Sequence, residues 1–227
     1  MKRIIALLVV LLALPAHAQE QPPGRLTVTG QGQVASVPDM ATVTLGVTSE
    51  ARTAAEALDQ TSSATAAILE QLRSVGIGAR DMQTSDLSLS PVWDNRSNTE
   101  RPRIVGYQAS NAVTVRVLKL DDLGGLLGAV VDSGANDFRG LSFGLQDPEP
   151  AMDEARQKAV ADAMRKARLY AEAAGITLGP ILQFDESGGR GDPGPVARMA
   201  MAEAVPIAQG EVTMQASVTL VFAIDGD

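Results

Sequence analysis

The chain has 227 residues, with 27 Asp and Glu against 19 Lys and Arg, a formal charge of −8, no cysteine and one histidine. A surface that acidic repels phosphate backbones, so nucleic acid is not an expected partner. Without cysteine there are no disulfides, no cysteine-held iron–sulfur clusters and no thiol redox chemistry.

Residues 1–18 have the three-part layout of a secretory signal. Lys2 and Arg3 form the basic start, and Ile4 to Leu14 carry no polar side chain. Pro15 breaks the run, and Ala16 and Ala18 place small residues at the two positions a signal peptidase reads. The expectation is a signal peptide over 1–18, cleavage after Ala18 and export to the periplasm, free or in association with the outer membrane. The apolar run falls short of the roughly 20 residues that span a bilayer. Cleavage would remove the sole histidine, His17, together with Lys2 and Arg3, leaving 17 cations against 27 carboxylates, near −10. The exported chain would then hold no Ser-His-Asp triad, no histidine base and no zinc site of the usual His/Cys kind.

Residues 19–25 form a polar, proline-bearing leader, and 26–227 read as one α+β domain with room for two lobes. Leu26, Val28, Gly30, Gly32 and Val34 alternate with Thr27, Thr29, Gln31 and Gln33, the period of a half-buried strand. Pro38-Asp39 reads as a turn, and Ala41, Val43, Leu45 and Val47 resume the alternation, so the two strands are expected to form a hairpin. From Thr53 the period becomes helical, with Ala54, Leu58, Thr61, Thr65, Ile68 or Leu69, Leu72 and Val75 on one face and Gly76 as the stop.

A strand with a thin apolar face is expected over Asp81 to Pro91, then a polar loop, Asp94 to Pro102, then a long strand, Asn111 to Leu120. Leu120 to Gly134 is the second helix, with an apolar side of Leu123, Leu126, Leu127, Val130 and Val131. A strand over Arg139 to Leu145 follows. Pro148 to Gly175 is the longest helix; its buried stripe reads Met152, Ala155, Ala159 or Val160, Ala163, Ala167, Tyr170 and Ala174. Alanine buries little area, so such a helix depends on close approach along its length. A short strand, Ile181 to Phe184, a Gly- and Pro-rich loop, Asp185 to Pro195, and a final strand, Glu211 to Ile224, complete the chain. Thr44 to Ile77 echoes Ser142 to Ile176, which raises a duplicated βαβ element. The sum is an α+β fold of antiparallel sheets packed against long helices. Its long helices and lack of aromatic girdles argue against a membrane barrel.

Five segments in order carry a family resemblance: VTGQGQV with Pro38-Asp39-Met40-Ala41 and LGV; DMQTSDLSLSP after Gly76-Ile77; Gly106 to Asn111; EARQKAVADAMRKA; and Val205-Pro206 with Gly210-Glu211. Together they resemble the SIMPL-domain family over Leu26 to Ile224. The resemblance implies an exported α/β protein that self-associates, with an association to envelope or oxidative stress. It supplies no catalytic residues.

Carboxylate pairs for a histidine-free hydrolase would be Asp81 with Asp86, or Asp185 with Glu186, but both lie beside loops, and solvated charges are the favoured reading. Asp147 to Glu154 and Asp185 to Asp192 hold only fragments of a calcium loop. Gly188-Gly189-Arg190-Gly191 lacks the Lys-Ser/Thr of a phosphate loop. Met199, Met201 and Met214 offer thioethers to copper(I), although methionine more often fills cores and interfaces. Exposed methionines could also scavenge oxidants. Trp93, near the polar loop, is a candidate interface anchor, or a cover over the sheet end. The sequence thus predicts a non-enzymatic, self-assembling envelope protein with no catalytic, cofactor or metal residues. The rivals are a ligand- or metal-binding module around Asp185 to Pro206 and a carboxylate hydrolase.

Overall fold

The computed structural model describes residues 24–94, 102–187 and 207–225. The signal positions Ala16 and Ala18 lie outside these, as do Met199, Met201 and the Gly188–Gly191 run. Among the described residues, seven strands and three α-helices follow in the order β1 (Gly24–Ser36), β2 (Met40–Ala51), α1 (Ala54–Ser74), β3 (Met82–Asp94), β4 (Arg103–Val117), α2 (Leu123–Asp132), β5 (Asp137–Gly144), α3 (Glu149–Ala174), β6 (Thr177–Ser187) and β7 (Val212–Asp225). They build two antiparallel sheets, one ordered β1-β7-β6 and one ordered β3-β4-β2-β5.

Each sheet has its own core. Helix α3 covers the three-stranded sheet through Met152, Ala155, Ala159, Ala163 and Ala167, set against Val28, Val218, Leu220 and Phe222. Helices α1 and α2 cover the four-stranded sheet through Ile68, Leu72, Leu126 and Val130, against Val43, Leu45, Val113 and Val115. Phe143 packs against both cores. The two buried hydroxyls of α1 are satisfied: Thr61 donates to the Ala109 carbonyl at 3.3 Å and Thr65 to the Thr61 carbonyl at 2.8 Å.

The expected hairpin of the first two strands is not formed. β1 pairs with β7 along its whole length, Gly24 opposite Ile224 to Ser36 opposite Val212. β2 pairs with β4 and β5 in the other sheet. Pro38 and Asp39 carry the chain across instead of reversing it. The Asp39 N–H donates to the Gly144 carbonyl at 3.1 Å, and Asp39 Oδ1 accepts the Gln146 N–H at 2.7 Å. Alternation told correctly which face of each strand is buried, and nothing about its partner.

Gly30 and Gly32 explain how an alanine-lined helix is held. A Cβ built on Gly32 would stand 2.0 Å from the Ala155 carbonyl oxygen, and one on Gly30 2.1 Å from that of Ala159. The α3 backbone therefore lies directly on β1, at a distance only glycine allows. The buried stripe runs to Ala171, and Tyr170 is half exposed, so the expected Tyr170 and Ala174 are displaced by one helical position. In α1 the first turn is likewise shifted, with Ala57 buried and Leu58 facing out, and Val75, just past the helix end, is also exposed.

All three helices end alike. Gly76, Gly134 and Gly175 take positive φ, and the next residue closes back on the helix, Ile77 to Leu72, Ala135 to Val130 and Ile176 to Ala171, each at 3.0 Å. This satisfies carbonyls the helix leaves open. The internal echo has a structural counterpart, although not the one aligned in sequence. β2 and β3 run parallel on either side of β4, with α1 between them in the chain; β1 and β6 do the same on either side of β7, with α3 before β6. β5, which the echo matched to β2, instead adds to the edge of β2.

Candidate functional site

Two open sheets have four edge strands, and the structure treats them unequally. An edge exposes every second backbone N–H and C=O, which invites another strand. On β1 these groups are taken by α3. Lys166 Nζ donates to the Thr29 carbonyl at 2.9 Å, the Gln31 N–H donates to Asp162 Oδ2 at 3.1 Å, and Lys158 Nζ donates to the Gln33 carbonyl at 3.4 Å. Asp162 is itself held by Lys166 at 2.7 Å and Arg165 at 2.6 Å. Lys166 foremost, then the Gln31 N–H and Arg165, hold its carboxyl well below the usual carboxylate range. That edge is locked.

The other three edges carry exposed apolar side chains. β6 presents Ile181, Leu182 and Phe184, the last 54 % exposed; β3 presents Leu87, 62 % exposed, and Leu89; β5 presents Phe138 and Leu141. β3 and β6 also shift register, β3 between Thr84 and Asp86 and between Val92 and Trp93, β6 on both sides of Ile181. Trp93 lies at the far end of β3, opposite Ile104, and is half exposed. Bulges discourage indiscriminate pairing, so these edges suit a shape-specific partner better than a generic strand.

The sequence-derived carboxylate pairs are not brought together. Asp81 is buried, contrary to the expectation of a solvated charge, and its Oδ1 accepts Arg116 Nη2 at 2.7 Å. Asp86 is bound by Arg139, whose guanidinium also holds Asp137 at 2.9 Å and Ser110 at 2.6 Å. One side chain of β5 thus straps β4 and β3 across the outer sheet face, and Asp86, then Asp137, raises its pKa. Asp185 accepts Gln183 Nε2 at 2.7 Å, and Glu186 accepts Arg156 Nε at 2.9 Å. In the expected calcium fragment, Asp153 pairs with Arg156 and Glu154 with Lys158, both at 2.8 Å.

Met214 is core, beneath α3. Among the described residues no group of three or more carboxylates is placed to hold a metal ion. Of the expected Asp185 to Pro206 ligand segment, only Asp185 to Ser187 lie within the described residues. None of the described helices is long and apolar enough to cross a membrane.

Residues 26–222 match the family model described as SIMPL, a protein of unknown function (DUF541). The chain belongs to the SIMPL family. It is 36 % identical to a 26 kDa periplasmic immunogenic protein of Brucella melitensis, over 96 % of this chain and 93 % of that one. It is 30 % identical to the uncharacterized protein YggE of Escherichia coli K12, over 97 % of this chain and 89 % of the relative. The YggE protein of Edwardsiella ictaluri is 32 % identical over 84 % of this chain and 80 % of its own. Two of the SIMPL-like segments fall on structural work: VTGQGQV forms the strand that α3 lies on, and EARQKAVADAMRKA supplies the alanines and the lysines that lock it.

Proposed function

We propose that this SIMPL protein is an exported, non-enzymatic envelope protein that assembles with copies of itself through its open strand edges. The observation that carries the reading is the asymmetry of the edges among the described residues: β1 is blocked by three α3 side chains, whereas β3, β5 and β6 have no such cover there and carry exposed apolar groups. A chain that closes one edge so fully has the means to close the others, and exposed apolar edges of this kind mark interaction surfaces. Trp93 and Ile104 extend the β3 surface as an anchor. Residence in the periplasm is supported by the 26 kDa Brucella relative, whose name places it there. A role in envelope or oxidative stress follows from the family resemblance and is part of the same proposal.

Light scattering on the purified protein tests it. A particle several times the monomer mass across a wide concentration range is expected; a strict monomer throughout overturns it.

A further inference from the structure

Helix α2 lacks what holds the other two helices. It has ten residues, and three of them, Gly124, Gly125 and Gly128, are glycine. Isolated helices shorter than about 12–15 residues are marginal in water even when built from good helix formers. Relative to alanine, each glycine shifts the helix equilibrium about fivefold toward coil, and three of them shift it by about 100-fold. We infer that α2 is a flap: it opens locally while the rest of the chain stays folded, and its opening bares an apolar surface on β2 and β5.

The ends and flanks of the helices differ in the same sense. α1 starts at Thr53, whose Oγ1 accepts the Glu56 N–H at 3.2 Å, and ends with Arg73 paired to Glu70. α3 runs for 26 residues and is laced by the ion pairs Asp153–Arg156, Glu154–Lys158, Asp162–Arg165 and Asp162–Lys166. In α2 the N-cap residue, Asp122, makes no side-chain capping bond, and no basic residue stands in the last turn. Asp132 ends the helix instead, an anion at the negative end of the dipole.

The fold does not demand this weakness. None of the three glycines has a positive φ, and a Cβ on any of them would meet nothing within 4 Å. Alanine would therefore fit at each. What keeps α2 closed is its apolar side: Leu123, Leu126, Leu127 and Val130 are buried in one cluster with Val43 and Leu45 of β2. A helix held by its buried face, with little support of its own, is the kind of unit that opens below the global unfolding free energy.

What the opening uncovers follows from the register. The chain passes from α2 into β5 through Asn136, whose N–H donates to the Gly46 carbonyl of β2 at 3.1 Å. Phe138 of β5 stands opposite Leu45, and Leu141 opposite Val43, so all four share the helix-covered face of the sheet. Phe138 and Leu141 are already 47 % and 40 % exposed. Withdrawing the four α2 side chains joins this rim to the apolar face of β2. The device does not depend on self-assembly.

Native-state amide hydrogen exchange of the full protein, read at Leu127 to Asp132 and followed against urea, tests it. At zero urea these amides are expected to exchange at least about 100-fold faster than the most protected amides of α1 and α3, with little dependence on low urea. Gly124→Ala/Gly125→Ala/Gly128→Ala should slow them by about 100-fold after correction for intrinsic rates, and Gly125→Ala alone by about fivefold. Protection of α2 equal to that of α1, exchange in α2 that rises with urea as steeply as in the α1 core, or a folded triple variant whose α2 exchanges as fast as the parent's would each overturn the inference.

Discussion

Substituting Gly32 by alanine tests the contact that holds β1 to α3. The added Cβ would lie 2.0 Å from the Ala155 carbonyl oxygen, 2.5 Å from the Ala159 nitrogen and 2.9 Å from Lys158 Cβ. Two of those three atoms are helix backbone and cannot rotate away, so α3 must lift by more than an ångström. Ala155, Ala159, Ala163 and Ala167 are all fully buried, and each would lose contact as the helix rises. Overpacking typically destabilises by about 1–3 kcal/mol, and a backbone clash belongs at the top of that range. For a domain of roughly 200 residues this is a fall of about 6–12 °C in Tm. Lifting α3 also withdraws Lys158, Asp162 and Lys166 from the β1 edge, so the variant should aggregate from that edge on warming. Gly128→Ala in α2 is the control: its Cβ would meet nothing within 4 Å, and a gain of about 1 kcal/mol is expected. Thermal and urea unfolding followed by circular dichroism measure both. A Gly32→Ala protein that melts with the parent would refute the close-contact account.

The Asp162 lock should also be visible in pH dependence. Its folded pKa is depressed, so its contribution is present above the unfolded value near 3.9 and is lost as pH falls through the folded value. Asp162→Asn should therefore lower the urea midpoint at pH 7 and flatten its fall below about pH 4; a parallel acid limb in both proteins would contradict this. Arg139→Met removes the strap from Asp86, Asp137 and Ser110, and faster amide hydrogen exchange in β3 and β5, with β7 unaffected, is the expected result. Phe184→Lys on β6 and Leu87→Lys on β3 place charge on exposed edge positions; each should lower the assembled mass in sedimentation while shifting stability by only about 0.5 kcal/mol.

Much of this fold was legible because periodicity reports burial. The alanine stripe of α3 from Met152 to Ala167, the faces of β1 and β2 and the glycine stop after α1 were all visible in the residues. The final turn of α3 was misread because the buried alanines keep a spacing of four to Ala171, where a 3.6-residue period favoured Tyr170. The β1–β2 hairpin was misread because alternation is the same whichever strand lies alongside, and the partner of β1 is at the other end of the chain.

The burial of Asp81 was hidden for a related reason: it sits in a polar stretch and resembles a loop charge, and the Arg116 that pairs with it is 35 residues away. The inequality of the edges was equally out of reach. Lys158, Asp162 and Lys166 read as the solvated face of a helix until β1 is laid beneath them.

The central claim is that the open edges of β3, β5 and β6 join copies of this chain. Sedimentation velocity on the parent and on a Leu87→Lys/Phe184→Lys double variant tests it most directly. The account predicts a discrete species several subunits in size for the parent and a folded, smaller species for the variant. A parent that sediments as a monomer at all concentrations, or a variant that assembles as fully as the parent, would contradict it.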